Sequence, residues 1–249
     1  MLRKHPAGDY SFVPGIAPYS CGVISSPGFE IVHVTLRNMV SWQAGFELIR
    51  QVLRDERRDQ TALCAVSLRS PKPFSFAGFS EFNTEYEAVL RSWGVFVENL
   101  NPIARTNIVP ETLPPAEPSL FGFAYTRPCP PSLSPTFVVA GAGELPEGFL
   151  NRDCIHCLGD VSPDGILAKS RFVLNLMSTR LQSLGTGWQE VTRTNVYTVY
   201  PVNDVVERVL EPAIGPASRL GISWFYSRPP IEEIEYEMDV RGVRCEKLF

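Results

Sequence analysis

Between Pro110 and Pro135 the chain carries Pro114-Pro115, Pro118, Pro128 and Pro130-Pro131. No helix survives that density of missing N–H donors. The later part of this segment, Arg127–Pro135, reads as a linker with the boundary near Pro131, and one order of elements is legible on both sides of it. Before it come a β-branched strand over Gly28–Leu36 and a helix capped by Ser41 with Phe46, Ile49, Val52 and Leu53 at helical spacing. A strand over Ala62–Leu68 follows. A second helix runs from Ser80, with Phe82, Tyr86, Val89 and Leu90 on one face, and two strands cover Asn101–Pro110 and Leu120–Tyr125. After it the pattern restarts with a strand over Thr136–Gly141 and a helix from Asp164 or Gly165 to Gly185. The alternating strand Val191–Tyr200, a helix capped by Asn203-Asp204, and strands over Ser218–Tyr226 and Ile234–Val240 complete it. The reading is an α+β chain of two diverged, tandem modules, residues 1–130 and 131–249. Each is expected to be a mixed β-sheet with two helices packed on one face.

Composition narrows the function classes. With 44% hydrophobic and 20% charged residues in 249, the chain is long enough to bury a core. A net charge of −4 offers no basic face for nucleic acid, and no apolar run is long enough for a membrane span. Cytoplasm is the expected compartment. The six cysteines are scattered, and Cys154-Ile155-His156-Cys157 has no second ligand pair, so neither a disulfide scaffold nor a structural metal is expected. No phosphate loop or nucleophile elbow is present, and no cofactor is expected.

The strand Asn101–Pro110 holds the residue with the most chemistry. Alternation places Ile103, Arg105 and Asn107 on one face. Arg105 offers a planar, permanently charged fork suited to a carboxylate, on a short strand closed by prolines. The alternatives at this stage are an ion pair with a neighbouring Glu or exposure to water. Asn83 reads most simply as a helix-start residue capping backbone N–H groups. Glu235, Glu237 and Asp239 alternate along the last strand, the usual pattern of a solvated sheet face.

These residues resemble the RidA (YjgF-like) family of enamine and imine deaminases. Gly187–Val199, followed by Asn203-Asp204, is similar to that family's Val-Lys-Thr-Thr-Val-Phe strand and the turn after it. Phe82-Asn83 with Tyr86 resembles its asparagine-and-tyrosine helix. Ile103-Ala104-Arg105 resembles its Pro-Ala-Arg, with Leu113-Pro114 where the family places Leu-Pro. The resemblance implies that Arg105 holds the substrate carboxylate. It places Leu120 where the family's water-positioning glutamate would fall in the first module, and Glu235 there in the second. Pro216-Ala217-Ser218-Arg219 has one residue inserted before Arg219, and a one-residue slip reverses a strand's face. Ala140-Gly141-Ala142 stands where the family lines its pocket with Ser-Gly-Gln. The expected site is therefore Arg105 and Glu235 in catalysis, with Asn83, Asn107, Gly141, Ala142 and Arg219 binding substrate.

The chemistry that follows is metal-independent hydrolysis of a small imine or enamine carboxylate, such as an aminomuconate-type intermediate. A small carboxylate-bearing substrate is the expected partner, in a homotrimer with pockets between modules. The alternatives are a non-catalytic carboxylate-binding regulator and, ranked last, a lyase like the chorismatases, which resemble distant double-module relatives.

Overall fold

The computed structural model describes residues 1–249. Three short strands, β1 (Arg3–His5), β2 (Tyr10–Val13) and β3 (Gly22–Ser25), precede the first expected element. Then come β4 (Phe29–Ser41), α1 (Trp42–Asp55), β5 (Leu63–Arg69), α2 (Phe76–Ser92), β6 (Ala104–Pro110) and β7 (Ser119–Pro128). The same order repeats with β8 (Phe137–Gly143), α3 (Pro163–Leu184) and β9 (Arg193–Thr198). A helical segment follows, α4 (Asn203–Val205), a π turn (Val206–Leu210) and α5 (Glu211–Ile214), and then β10 (Ile222–Arg228) and β11 (Glu237–Gly242). A last strand, β12 (Cys245–Leu248), ends the chain's regular structure.

All twelve strands join one mixed sheet, ordered β1-β2-β3-β8-β11-β9-β10-β6-β5-β7-β4-β12. Within it, β4-β7-β5-β6 and β8-β11-β9-β10 have the same internal order and directions. In each set the two strands linked through the second helical segment are parallel and the remaining pairs antiparallel. Three pairings cross the proline-rich segment, one of them β10 against β6, antiparallel with Ser227 opposite Pro110. The N-terminal strand β3 bonds to β8, with Val23 opposite Val138, and the C-terminal strand β12 runs parallel to β4, with Glu246 opposite His33. The sequence reading did not identify β1–β3 or β12, because they are three or four residues long and show no sustained alternation.

Local signals set most element starts. Ser41 Oγ accepts from the Ala44 N–H and opens α1, whose Phe46, Ile49, Val52 and Leu53 are all buried. α2 begins at Phe76, earlier than the sequence suggested, because Ser75, two residues after Pro73, supplies the cap, accepting from the Gly78 N–H at 3.1 Å. Asn83 therefore lies inside α2, buried, and is not a helix-start residue. Asn203-Asp204 makes no side-chain cap either. Pro212 has no N–H to offer the preceding turn, and the helix widens into the π turn just before it.

Two apolar clusters of 21 buried residues each lie between helices and sheet, one on α1 and α2, the other on α3 and the α4–α5 segment. A third, of ten residues, fills the seam between the halves. Four of its ten are alanines (Ala65, Ala104, Ala124 and Ala140), small enough to let the strands approach closely. There the Gly141 N–H donates to Thr106 Oγ1 at 3.1 Å, bridging β8 and β6.

One buried ion pair ties the second half together. Lys169 on α3 and Glu144 after β8 meet at 2.9 Å with no exposure of either side chain. Glu144 also accepts from the backbone N–H groups of Glu235 and Tyr236, at 2.7 and 3.1 Å, and so fixes the approach to β11. Lys169→Met should strand a carboxylate in the core and lower stability by about 3–5 kcal/mol, measured by urea unfolding. A loss below 1 kcal/mol would show that the pair is not holding this segment.

Candidate active site

Arg105 projects from β6 toward α2, and the structure decides between the readings of it. It is buried and makes no ion pair. One guanidinium nitrogen donates to Asn83 Oδ1 at 2.7 Å, and another has no hydrogen-bond partner. The rings of Tyr19 and Tyr86 each lie 4.7 Å from its Cζ, with Phe79 at 5.4 Å. Aromatic faces stabilise a cation, but they do not satisfy N–H donors. Burial lowers the pKa of Arg105, yet a guanidinium stays charged in proteins. This is a desolvated cation with donor capacity to spare, held by the aromatic face of α2 and by Asn83.

The cation borders a pocket of about 80 Å³ at the seam between the two halves. Arg105 and Asn107 enter from β6, Gly141 and Ala142 from β8, Glu237 from β11 and Arg180 from α3. Asn107 Oδ1 accepts from Ser70 Oγ at 3.0 Å, while its amide nitrogen has no partner. Gly141 serves by its size. A Cβ there would lie 2.1 Å from Glu237 Oε1, so the glycine is what gives the carboxyl its place.

Glu237 is fully enclosed in the pocket wall and makes no ion pair. Burial, and then the Asp239 carboxylate two residues along the strand, push its carboxyl well above the usual carboxylate range. The shift favours the protonated form, which can donate as well as accept. Arg180 opposes this shift only in part, because its guanidinium is bound to Glu147 through Nε and Nη2, at 2.5 and 3.0 Å, and to the Ala140 carbonyl. Cys21 also lines the pocket, and burial pushes its thiol up to about 11, so it is no thiolate nucleophile at neutral pH.

The expected site residues thus fall into two groups. Arg105, Asn107, Gly141 and Ala142 come together around one pocket, with Asn83 behind the arginine. Glu235 does not reach it. It precedes β11, sits 3.5 Å from Arg228 and lines a separate groove with Glu111. Arg219 is exposed on a 3₁₀ turn (Gly215–Leu220), before β10 begins, and lies outside the pocket. The carboxylate row is not a solvated face either, since Glu237 and Asp239 are both buried. Alternation on β11 could have raised Glu237 as a candidate, but only the packing of β6 against β8 shows that this face is covered. Tyr19 and Arg180 gave no sequence signal.

Over residues 2–247 the chain matches the family described as 2-aminomuconate deaminase CnbZ. It belongs to that family. It is 39% identical over 244 residues to the 2-amino-5-chloromuconate deaminase of Comamonas testosteroni, covering 97% of this chain and 96% of that protein. Among solved structures, a chorismatase shares the fold with a TM-score of 0.50 at 14% identity, over 90% of this chain and 77% of that one. A Mycobacterium tuberculosis member of the YjgF/YER057c/UK114 family aligns over 48% of this chain and 83% of its own, at 19% identity and a TM-score of 0.30.

Two substitutions test the pocket. Gly141→Ala should displace the Glu237 carboxyl and reduce ligand binding or turnover far more than Ala142→Gly. Glu237→Gln should fold and gain stability relative to the wild type as pH rises. The folded wild-type carboxyl holds its proton to a higher pH than the unfolded chain, which releases it above about pH 4.3, so wild-type stability falls as pH rises from there. Urea unfolding at pH 5 and pH 8 should show this slope in the wild type and a flatter one in the variant. Equal slopes would place an ionised Glu237 in the folded state.

Proposed function

We propose that this chain is a deaminase of the aminomuconate type, hydrolysing the C–N bond of a small unsaturated 2-amino carboxylate without a metal. The observation that carries the reading is that an unsatisfied buried guanidinium, Arg105, and a buried carboxyl, Glu237, line one small pocket. The family and its Comamonas relative supply the substrate class.

The reaction needs a fixed carboxylate, a proton for the enamine and a handler for the attacking water. In this reading the unpartnered N–H groups of Arg105 hold the substrate's carboxylate beside the amino carbon, with the Asn107 amide as a further donor. Glu237 gives its proton to the enamine carbon, which turns the C–N bond into an iminium. Its carboxylate then takes a proton from water as the water oxygen bonds to the iminium carbon, the one that carries the nitrogen. The tetrahedral adduct passes a proton to nitrogen, ammonia leaves, and the carbon keeps the oxygen as a ketone. One water enters and one ammonia departs. The aromatic wall of Tyr19, Tyr86 and Phe79 keeps bulk water from competing for the guanidinium. The proton-transfer role falls to Glu237 rather than Glu235 because only Glu237 lines the Arg105 pocket.

The repeated strand order further supports reading the halves as two RidA-like modules, divided near residue 131, that exchange terminal strands. The pocket at their seam would be this chain's equivalent of a site between neighbouring subunits. Assembly as a homotrimer belongs to the same reading.

Ammonia release from a 2-aminomuconate, coupled to a dehydrogenase assay, tests it. Removing one partner of a charge-assisted contact costs roughly 2–5 kcal/mol, so Arg105→Ala should lower kcat/KM at least tenfold. Arg105→Lys should restore part of it, since an ammonium lacks the fork. Glu237→Gln should lose about a hundredfold or more in kcat. Wild-type turnover rates in both Glu237→Gln and Arg105→Ala would overturn the assignment. Loss in Glu235→Gln with none in Glu237→Gln would return the role to Glu235.

A further inference from the structure

A second buried arginine, Arg69 on β5, is also without an ion pair, and it lies in a different cavity from Arg105. We infer that the cleft of about 240 Å³ between β4, β5 and β7 on one side and β9, β10 and β11 on the other is a second anion site, which takes a small planar monocarboxylate with its carboxylate on Arg69.

The guanidinium of Arg69 lies over the Phe121 ring at 3.8 Å, with the Tyr197 and Phe225 rings further off at 5.9 and 6.0 Å. It spends one hydrogen bond on the Leu68 carbonyl of its own strand, at 2.8 Å. A desolvated cation on an aromatic face, with unused donors toward a cavity, is the arrangement already met at Arg105.

The charges around it are not balanced. Arg69, Arg193 and Arg241 line the cleft against two carboxylates, Asp239 and Glu246. Glu246 is committed to Arg241 and Arg193, at 3.0 and 3.5 Å. Asp239 is capped by Asn195 Nδ2 and the Tyr197 hydroxyl, each at 2.8 Å, which satisfies its oxygens and leaves Arg69 unpaired. His33, in the same wall, is held neutral by burial and by the three guanidinium groups, and its Nδ1 has no partner. The cleft is therefore short of one negative charge. Its size and its aromatic lining of Phe121, Tyr197 and Phe225 set the rest of the ligand, a short flat body attached to the carboxylate.

The two pockets share a strand. Glu237 and Asp239 stand on one face of β11, the first in the Arg105 pocket and the second in this cleft. An anion on Arg69 adds negative charge beside that face, so occupancy should favour the protonated form of Glu237.

Benzoate is the probe. Calorimetric titration of the full chain should give two equivalents for the wild type. Arg105→Ala should keep one. Arg69→Met, close in volume and uncharged, should lose the other or weaken it at least tenfold. Should Arg69→Met fail to fold, Ser223→Trp, which fills the cleft from its half-exposed wall on β10, should remove the same equivalent. The inference is overturned if the wild type binds no benzoate, if Arg105→Ala abolishes all binding, or if a folded cleft variant keeps every equivalent the wild type binds. A single wild-type equivalent, kept by Arg105→Ala and lost in Arg69→Met, would refute the proposed active-site reading without touching this one.

Discussion

The close approach of β6 to β8 is the constraint on which the rest of the structure depends. Those strands come from opposite sides of the proline-rich segment, and they meet through alanines and a glycine. A larger side chain at Ala104, Ala140 or Gly141 would hold the halves apart. The approach is secured at both ends by strand exchange, with the N-terminal hairpin completing the sheet at β8 and the C-terminal strand doing so at β4. Long-range pairing of this kind is costly in chain entropy, and here it is offset by three apolar clusters that fold together with it.

That seam is also where unfavourable electrostatics accumulate. Arg105 is buried with incomplete hydrogen bonding, and Glu237 is buried with a carboxyl too desolvated to ionise easily. Each lowers stability, and neither neutralises the other through a direct ion pair. The contrast with Lys169 and Glu144 is informative. That pair is as deeply buried, but its charges meet at 2.9 Å and the carboxylate's remaining capacity goes to backbone N–H groups. Satisfied polar groups brace the approach to β11, and unsatisfied ones line the cavities.

Arg69 extends the same logic to the other side of the sheet. The fold keeps two arginines on adjacent parallel strands, β5 and β6, each stacked on aromatic rings and each facing its own cavity. The common strand β11 runs behind both cavities with one carboxyl for each. Two polar cavities built on neighbouring strands can influence one another through charge alone, with no moving part.

Much of the local structure was legible in the sequence because it depends on near neighbours. The Ser41 cap, the buried face of α1, the repeated element order and the Arg105 strand all follow from periodicity and turn chemistry within a few residues. The family resemblance added Gly141, Ala142 and the arginine's role, which spacing alone left open. What the sequence could not decide was which faces are covered. Whether Glu235, Glu237 or Arg219 enters the Arg105 pocket depends on the start of β11, the 3₁₀ turn before β10 and the seam between halves. Those are consequences of contacts between residues tens of positions apart, from 35 for Gly141 with Thr106 to 91 for Glu235 with Glu144. The same holds for Asn83, which near-neighbour rules read as a cap and tertiary packing turned into the support of a guanidinium 22 positions away. Residue chemistry is written locally, while burial and partnership, which set charge state and reactivity, exist only once distant strands have paired.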